Sequence, residues 1–265
     1  MRASATLRPI DALRVPSLLA FLKLGIFLLH ALVFLSSHSL LWVLVRNERA
    51  RLRLIVRSNG LHARLVATYL NLEAFHEEGA EKVRGKLIIC NHQSWVDVIV
   101  LFTRYPALFI TSREIGETPF LGQITRLAGC FFVERRKELR TPEMALEEMR
   151  QMRRRLSEGF NIFLFPEGTS SDGTSLLPFK AHFFQLAIEA KVFVQPLVIK
   201  YLGAGRSVAP WYGDMDFLPH FLNVCRQREL SVTVLQLPKL SSTGKEKFAL
   251  KDEAHSLIKE AYEAH

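Results

Sequence analysis

The chain has 265 residues, enough for one sizeable α/β domain with an appendage, and large enough that its core needs neither disulfides nor a structural metal. Hydrophobic residues make up 49% and charged residues 23%, with a mean hydropathy of +0.11, which excludes a disordered or fibrous chain. Lys and Arg number 35 against 26 Asp and Glu, a net charge of +9, so the partner of this greasy, basic chain is anionic: a lipid surface, a ligand held near one, or nucleic acid.

Residues 17–45 carry a single formal charge, Lys23. Within them residues 18–35 approach the roughly 20 apolar residues that a membrane span requires. Ser36-Ser37-His38-Ser39 interrupts the run before residues 40–45 resume it. Arg2, Arg8 and Arg14 resemble the positive region of a signal peptide, but the apolar run is too long, contains Lys23, and lacks a small-residue cleavage site. The segment reads as a helix embedded in, or lying along, a membrane, with a buried core helix as the alternative. Arg46, Arg49, Arg51, Arg53, Arg57 and Arg64 follow, opposed only by Glu48. Such a flank is cytoplasmic if the helix spans, and meets phospholipid head groups if it lies in the interface. Residues 1–69 therefore form a membrane-associated helical region, and residues 70–265 a single α/β domain.

In that second part short β-rich runs recur at residues 87–90, 108–111, 130–133, 162–165, 193–200 and 231–237. Thr141 and Pro142 start a helix whose apolar face is Met144, Met149, Met152 and Leu156, and Gly159 stops it. Residues 244–265 repeat the helical pattern, with Leu250, Ala254, Leu257, Ile258 and Ala261 on one side. Strands alternating with helices predict an α/β fold: a mixed, mostly parallel sheet flanked by helices. Cys90, Cys130 and Cys225 are too far apart for a zinc motif and read as small buried hydrophobes.

Four blocks can carry chemistry. Asn91-His92-Gln93-Ser94-Trp95-Val96-Asp97 follows the first of these runs. If His92 lies in a strand-to-helix turn and Asp97 in the first helical turn, the carboxylate fixes the imidazole tautomer and leaves the other nitrogen as a base. The same pair also suits a capping histidine with Asp97 favouring the helix dipole. Phe165-Pro166-Glu167-Gly168-Thr169 ends the strand at 162–165, where ligands of α/β sheets gather, and its amides near Gly168 and Thr169 could hold an anion; an ordinary β-turn is the alternative. Glu167 beside that anion calls for a cationic partner. The strand ending in Glu134-Arg135 delivers a guanidinium to the same edge, where Arg135 could bind phosphate and pair with Glu167, or simply face solvent. Val194-Gln195-Pro196-Leu197 places a proline inside a strand, which predicts an edge or irregular strand.

In this order the four blocks resemble the motifs of the glycerolipid acyltransferase family: Asn-His-x4-Asp at 91–97, Gly-x-x-Phe-Val-x-Arg at 129–135, Phe-Pro-Glu-Gly-Thr at 165–169, and a Val-Pro-Val-like strand at 194–197. The resemblance implies an enzyme in which His92, oriented by Asp97, deprotonates an acceptor hydroxyl for attack on an acyl thioester. Arg135, Glu167, Gly168 and Thr169 would position the acceptor's head group, and Arg113 would add a phosphate contact. The thioester, on coenzyme A or acyl carrier protein, is a co-substrate, so neither metal nor cofactor is implied. The implied partners are a lipid bilayer and a lyso-lipid, with no nucleic acid, and the implied site faces the cytoplasm at a membrane. The expected acceptor is 1-acylglycerol-3-phosphate, giving phosphatidate.

Two positions depart from the family pattern. Ser170 stands where the family often has an arginine, which leaves other acceptors such as lyso-ornithine lipid as alternatives. His182 stands at a family glycine in Phe179-Lys180-Ala181-His182-Phe183, where Lys180 is a further candidate ligand. A non-enzymatic protein binding anionic lipid or nucleic acid accounts for the charge but not for four blocks in register, and a hydrolase would call for a Gly-x-Ser-x-Gly elbow, which this sequence lacks.

Overall fold

A computed structural model describes residues 18–77, 85–136 and 138–264; of the side chains in these ranges, those of His76 and Glu77 are outside the description. Arg2, Arg8, Arg14, Ser17 and Lys137 lie outside the described residues. Two long helices come first, α1 (Leu18–Leu44) and α2 (Glu48–Leu70). They are followed by β1 (Leu72–Glu77), β2 (Leu87–Cys90), α3 (Trp95–Arg104), β3 (Leu108–Ser112), α4 (Arg113–Glu117), α5 (Leu121–Leu127) and β4 (Phe131–Val133). The second half runs α6 (Pro142–Ser157), β5 (Ile162–Leu164), α7 (His182–Ala190), β6 (Val194–Tyr201), α8 (Gly205–Val208), α9 (Phe217–Arg226), β7 (Leu230–Gln236) and α10 (Lys247–Ala264).

The strands form one seven-stranded sheet in the order β1-β7-β6-β2-β5-β3-β4, parallel throughout except for the antiparallel β6–β7 pair. This is the mixed, mostly parallel sheet that the alternation of runs predicts. Central β2 is buried on both faces, as a strand covered by helices on either side must be. Its residues alternate: Ile88 and Cys90 join a core shared with α1, α2, α3 and α9, whereas Leu87 and Ile89 join one shared with α6, α7 and α10. Thr141 caps α6 as read, its hydroxyl accepting from the Met144 N–H, and α10 buries Leu250, Ala254, Ile258 and Tyr262. Cys90 and Cys225 are buried free thiols.

Ser36-Ser37-His38-Ser39 interrupts the apolar run but not the helix: α1 continues through it, with the Ser37 hydroxyl donating to Phe34 O at 3.1 Å. Two features differ from the sequence reading. Strand β1 escaped notice because its sequence, LEAFHE, mixes titratable with apolar residues, as suits an edge strand that covers one face only. Lastly, β6 is not an edge strand; it lies between β7 and β2. Pro196 is tolerated there through a local repair. Leu237 N–H donates to Pro196 O (3.1 Å), and the reciprocal donor that proline lacks is replaced by Gln195 Nε2, 2.6 Å from Leu237 O.

Helix α1 is apolar on its outer face and turns its two buried polar side chains, set among Ala20, Ala31 and Phe34, to the inner one. Leu18, Phe21, Leu22, Leu28, Leu29, Leu32, Val33, Leu40, Val43 and Leu44 are exposed, while Lys23 and His38 are buried. Lys23 Nζ donates to Leu70 O (3.2 Å) and Gln227 O (2.8 Å), and His38 pairs with Asn59 of α2 (3.0 Å). By length and composition α1 is long and apolar enough to cross a membrane.

Because β2 carries the sheet's centre, Ile88→Ala is expected to cost about 2–5 kcal/mol and Ile88→Val about 0.5–1.5 kcal/mol, measured as shifts in the urea unfolding midpoint.

Candidate active site

The carboxyl ends of parallel strands β2, β5, β3 and β4 open onto the same edge of the sheet, and so does that of β6, which runs parallel to β2. The first functional block leaves β2 there. Asn91 continues the strand with its side chain: its Nδ2 donates to Ile199 O (2.9 Å) and its Oδ1 accepts from Ile199 N–H (2.8 Å). Ser94 then caps α3, with Asp97 at the third helical position completing a capping box. The tight turn folds His92 back over the helix start. Its Nδ1 lies 2.8 Å from Asp97 Oδ2, an atom that also accepts the Gln93 N–H (2.7 Å) and the Ser94 N–H (2.9 Å). The other oxygen of Asp97 accepts from the Tyr201 hydroxyl at 2.6 Å. A carboxylate accepts, so in the neutral ring the proton sits on Nδ1 and the lone pair on Nε2. Burial and the negative Asp97 push the Tyr201 pKa well up, which keeps the proton it donates in place. The His92 ring lies flat on Phe165, 3.7 Å between centroids with 4° between planes. The His92–Asp97 pairing expected from the sequence is therefore formed, and the capping role that competed with it is filled by the same carboxylate.

The second block leaves β5. Glu167 differs from the expectation that it pairs with Arg135 and touches the ligand. It is only 3% exposed, and its two oxygens accept the backbone N–H groups of His92 (2.6 Å) and Leu177 (2.9 Å). It thus clamps the β5 turn to the β2 turn, and the neutral donors replace the cation that was expected. Burial pushes its pKa up to about 7. Gly168 takes φ +74°, a conformation that favours glycine, and the Lys180 side chain lies against the space a Cβ would fill. Of the amides assigned to anion binding, that of Gly168 is used internally by Phe165 O (3.0 Å). Those of Thr169 and Ser170 have no partner among the described residues.

Arg135, Lys180, Arg140, Gly168, Thr169 and His92 line a cavity of about 720 Å³ at this edge, together with Glu114, His182 and Trp211. Arg135 is exposed, and partial burial, with the nearby positive Arg135 adding to it, lowers the Lys180 pKa. Arg113 differs from expectation: its guanidinium turns to Glu134 and Glu148, both at 3.8 Å, and does not line the cavity. Beside this cationic space lies an apolar groove of about 330 Å³, walled by Phe27 and Phe34 of α1, Val66 of α2, Ile99 of α3 and Ile124 of α5. His92 lines both.

Sequence reasoning missed three supports of this site. Tyr201 stands one residue past the strand as read; its signal was a hydroxyl at the carboxyl end of an apolar strand. Tyr262 of α10 accepts from Gln93 Nε2 (3.2 Å) and donates to Gly173 O (2.5 Å), which steadies both turns from the far end of the chain. Trp211, in the loop between α8 and α9, donates its N–H to Gln93 O (2.7 Å). No local pattern marked either of the last two.

The acyltransferase family profile matches residues 72–200, which includes every motif block. The chain is 30% identical over 184 residues to a 1-acyl-sn-glycerol-3-phosphate acyltransferase of Neisseria gonorrhoeae, covering 68% of this chain and 70% of that one. It is 35% identical over 169 residues to a lyso-ornithine lipid O-acyltransferase of Rhizobium meliloti, covering 58% of this chain and 56%, little over half, of that one. The crystal structure of the 1-acyl-sn-glycerophosphate acyltransferase PlsC from Thermotoga maritima shares the fold, with a TM-score of 0.68 at 18% identity over 94% of this chain and 95% of that one. The chain therefore belongs to the glycerolipid acyltransferase family. Its relatives include 1-acyl-sn-glycerol-3-phosphate acyltransferases, lyso-ornithine lipid O-acyltransferases and a lysophospholipid acyltransferase.

Two expectations follow. Asp97→Asn removes the acceptor that fixes the His92 tautomer and should lower kcat by about 10²–10⁴-fold in an acyl-transfer assay with the structure retained. The Glu167 pKa of about 7 lies above the usual 4.5, so the folded protein keeps a proton that the unfolded chain loses between those values. Stability should fall as pH rises through that window, and Glu167→Gln should flatten that part of the urea-midpoint profile.

Proposed function

We propose that the protein transfers a fatty acyl group from an acyl thioester to the free hydroxyl of a lyso-lipid at a membrane surface. The observation that carries this reading is the position of His92, whose Nδ1 is held by Asp97 and which lines both a cationic cavity and an apolar groove. Acceptor and donor both join a polar head to a long chain, and the bond between them forms at such a junction. Nε2 takes the proton of the acceptor hydroxyl, the oxygen attacks the thioester carbonyl carbon, and the carbon–sulfur bond breaks. The proton then passes from the imidazolium to the departing thiolate. Asp97 stabilises the imidazolium that forms in between. The donor, a thioester of coenzyme A or acyl carrier protein, is a co-substrate, and the chemistry draws on no metal.

The acceptor most in keeping with the cavity is 1-acylglycerol-3-phosphate, giving phosphatidate. Arg135, Lys180 and the free amides of Thr169 and Ser170 are donors suited to its phosphate. One observation favours a second reading, lyso-ornithine lipid. Glu114 lines the same cavity without an ion-pair partner among the described residues, and a carboxylate there suits a head group that also carries an ammonium.

Membrane association rests on the outward apolar face of α1 and on the arginines of α2. Leu54, Leu61 and Leu65 are exposed on the helix that presents Arg53, Arg57 and Arg64, an arrangement that sinks leucines among acyl chains and guanidiniums among phosphates. If α1 spans, the excess of arginine after it favours the cytoplasmic side for this surface and the site.

Purified protein given labelled acyl-CoA and either lyso-lipid should release free thiol and form labelled diacyl lipid. His92→Ala should lower the rate about 10²–10⁴-fold. Arg135→Ala should raise the acceptor KM about 10-fold, the scale of one lost charge-assisted hydrogen bond, with kcat largely kept. A His92→Ala protein with full activity would overturn the mechanism.

A further inference from the structure

Five residues line both the cationic cavity and the apolar groove: His92, Phe109, Thr111, Ile115 and Trp211. The first four lie within the 72–200 family match, and Trp211 lies outside it. Its indole is half-buried and is held from four directions. The backbone N–H donates to Gln93 O at 2.7 Å, and the carbonyl accepts from Ser170 Oγ at 2.5 Å. Indole Nε1 donates to Met215 O at 2.7 Å, and the ring meets Phe217 edge-on at 5.9 Å.

These ties lead back to the catalytic base. Gln93 follows His92 directly and gives its own N–H to the Asp97 oxygen that His92 uses. Ser170 lies in the Phe-Pro-Glu-Gly-Thr turn, beside Ser171, whose N–H and hydroxyl both reach His92 O, at 2.9 and 3.1 Å. The Trp211 loop is therefore strapped to both turns of the site, and the serine in place of the family's arginine supplies one of the straps.

The junction has a specific chemical problem. A base that deprotonates a lipid hydroxyl deprotonates water equally well. In that side reaction His92 takes a proton from water, hydroxide attacks the thioester carbon, the thiolate leaves and regains the proton, and fatty acid is lost. The two reactions share every protein group, so the ratio between them depends on what reaches Nε2. We propose that Trp211 is a positioning residue that closes the junction to water and so directs the acyl group to the lipid hydroxyl, with Ser170 holding it in place. The inference rests on the acyl-transfer reading above.

The test measures diacyl lipid and free fatty acid together, from the full-length protein with acyl-CoA and its preferred lyso-lipid. Trp211→Ala should raise the ratio of fatty acid to diacyl lipid at least 10-fold, Ser170→Ala several-fold, and Trp211→Phe, which keeps an aromatic ring and the backbone ties, should stay near the parent. A purely structural role would lower both products together. A parental ratio in Trp211→Ala, or equal leakage from Phe and Ala, overturns the proposal. If circular dichroism shows that Trp211→Ala does not fold, the Ser170→Ala ratio decides. A parent protein that forms no diacyl lipid with any acceptor would instead overturn the acyl-transfer reading itself.

Discussion

The active-site edge hangs on the Asp97 carboxylate. One buried side chain accepts from the His92 ring, from two consecutive backbone N–H groups and from the Tyr201 hydroxyl, and it does so from the first turn of a helix, where the dipole favours negative charge. A charge with no exposure to water is tolerable only when its lone pairs are filled, and here four donors fill them. The arrangement joins three elements at one atom group: the turn after β2, the start of α3 and the end of β6. It also sets a rank among the acidic residues. Asp97 holds the base, and Glu167, one layer away, holds the backbone that carries the base.

That ranking changes how the Phe-Pro-Glu-Gly-Thr block works. Its glutamate acts through two backbone amides, while beside it Gly168 lets the Lys180 side chain lie across the turn and the amides of Thr169 and Ser170 have no partner among the described residues. The cationic character of the cavity then comes from Arg135 and Arg140, both in the connection between β4 and α6, and from Lys180 ahead of α7. Arg113, by contrast, turns to Glu134 and Glu148 and does not line the cavity.

Much of this was legible in the sequence wherever the chemistry is local. The fully apolar β2, the Thr141-Pro142 start of α6 and the five-residue spacing of His92 and Asp97 each follow from near neighbours, and each stands as read. What escaped depends on distant partners. Nothing near Glu167 in the chain announces that its donors are His92 and Leu177, and nothing near Pro196 announces that Gln195 supplies the missing donor to Leu237. The polarity of α1 was legible only in part: composition marked it as apolar, yet the direction of Lys23 and His38, inward rather than outward, follows from carbonyls and an amide supplied by other helices.

The Tyr262 hydroxyl has a consequence for biosynthesis. It joins Gln93 to Gly173 from a helix 169 residues downstream of the catalytic turn, and Lys23 waits for a carbonyl 204 residues away. Contacts of such sequence separation form late, because loop closure must precede them. During synthesis, then, the turns that hold His92 and Asp97 are made well before Tyr262, and they gain this brace only once α10 has emerged and docked. The seating of residues read early in the chain is in this way finished by a helix made long after them.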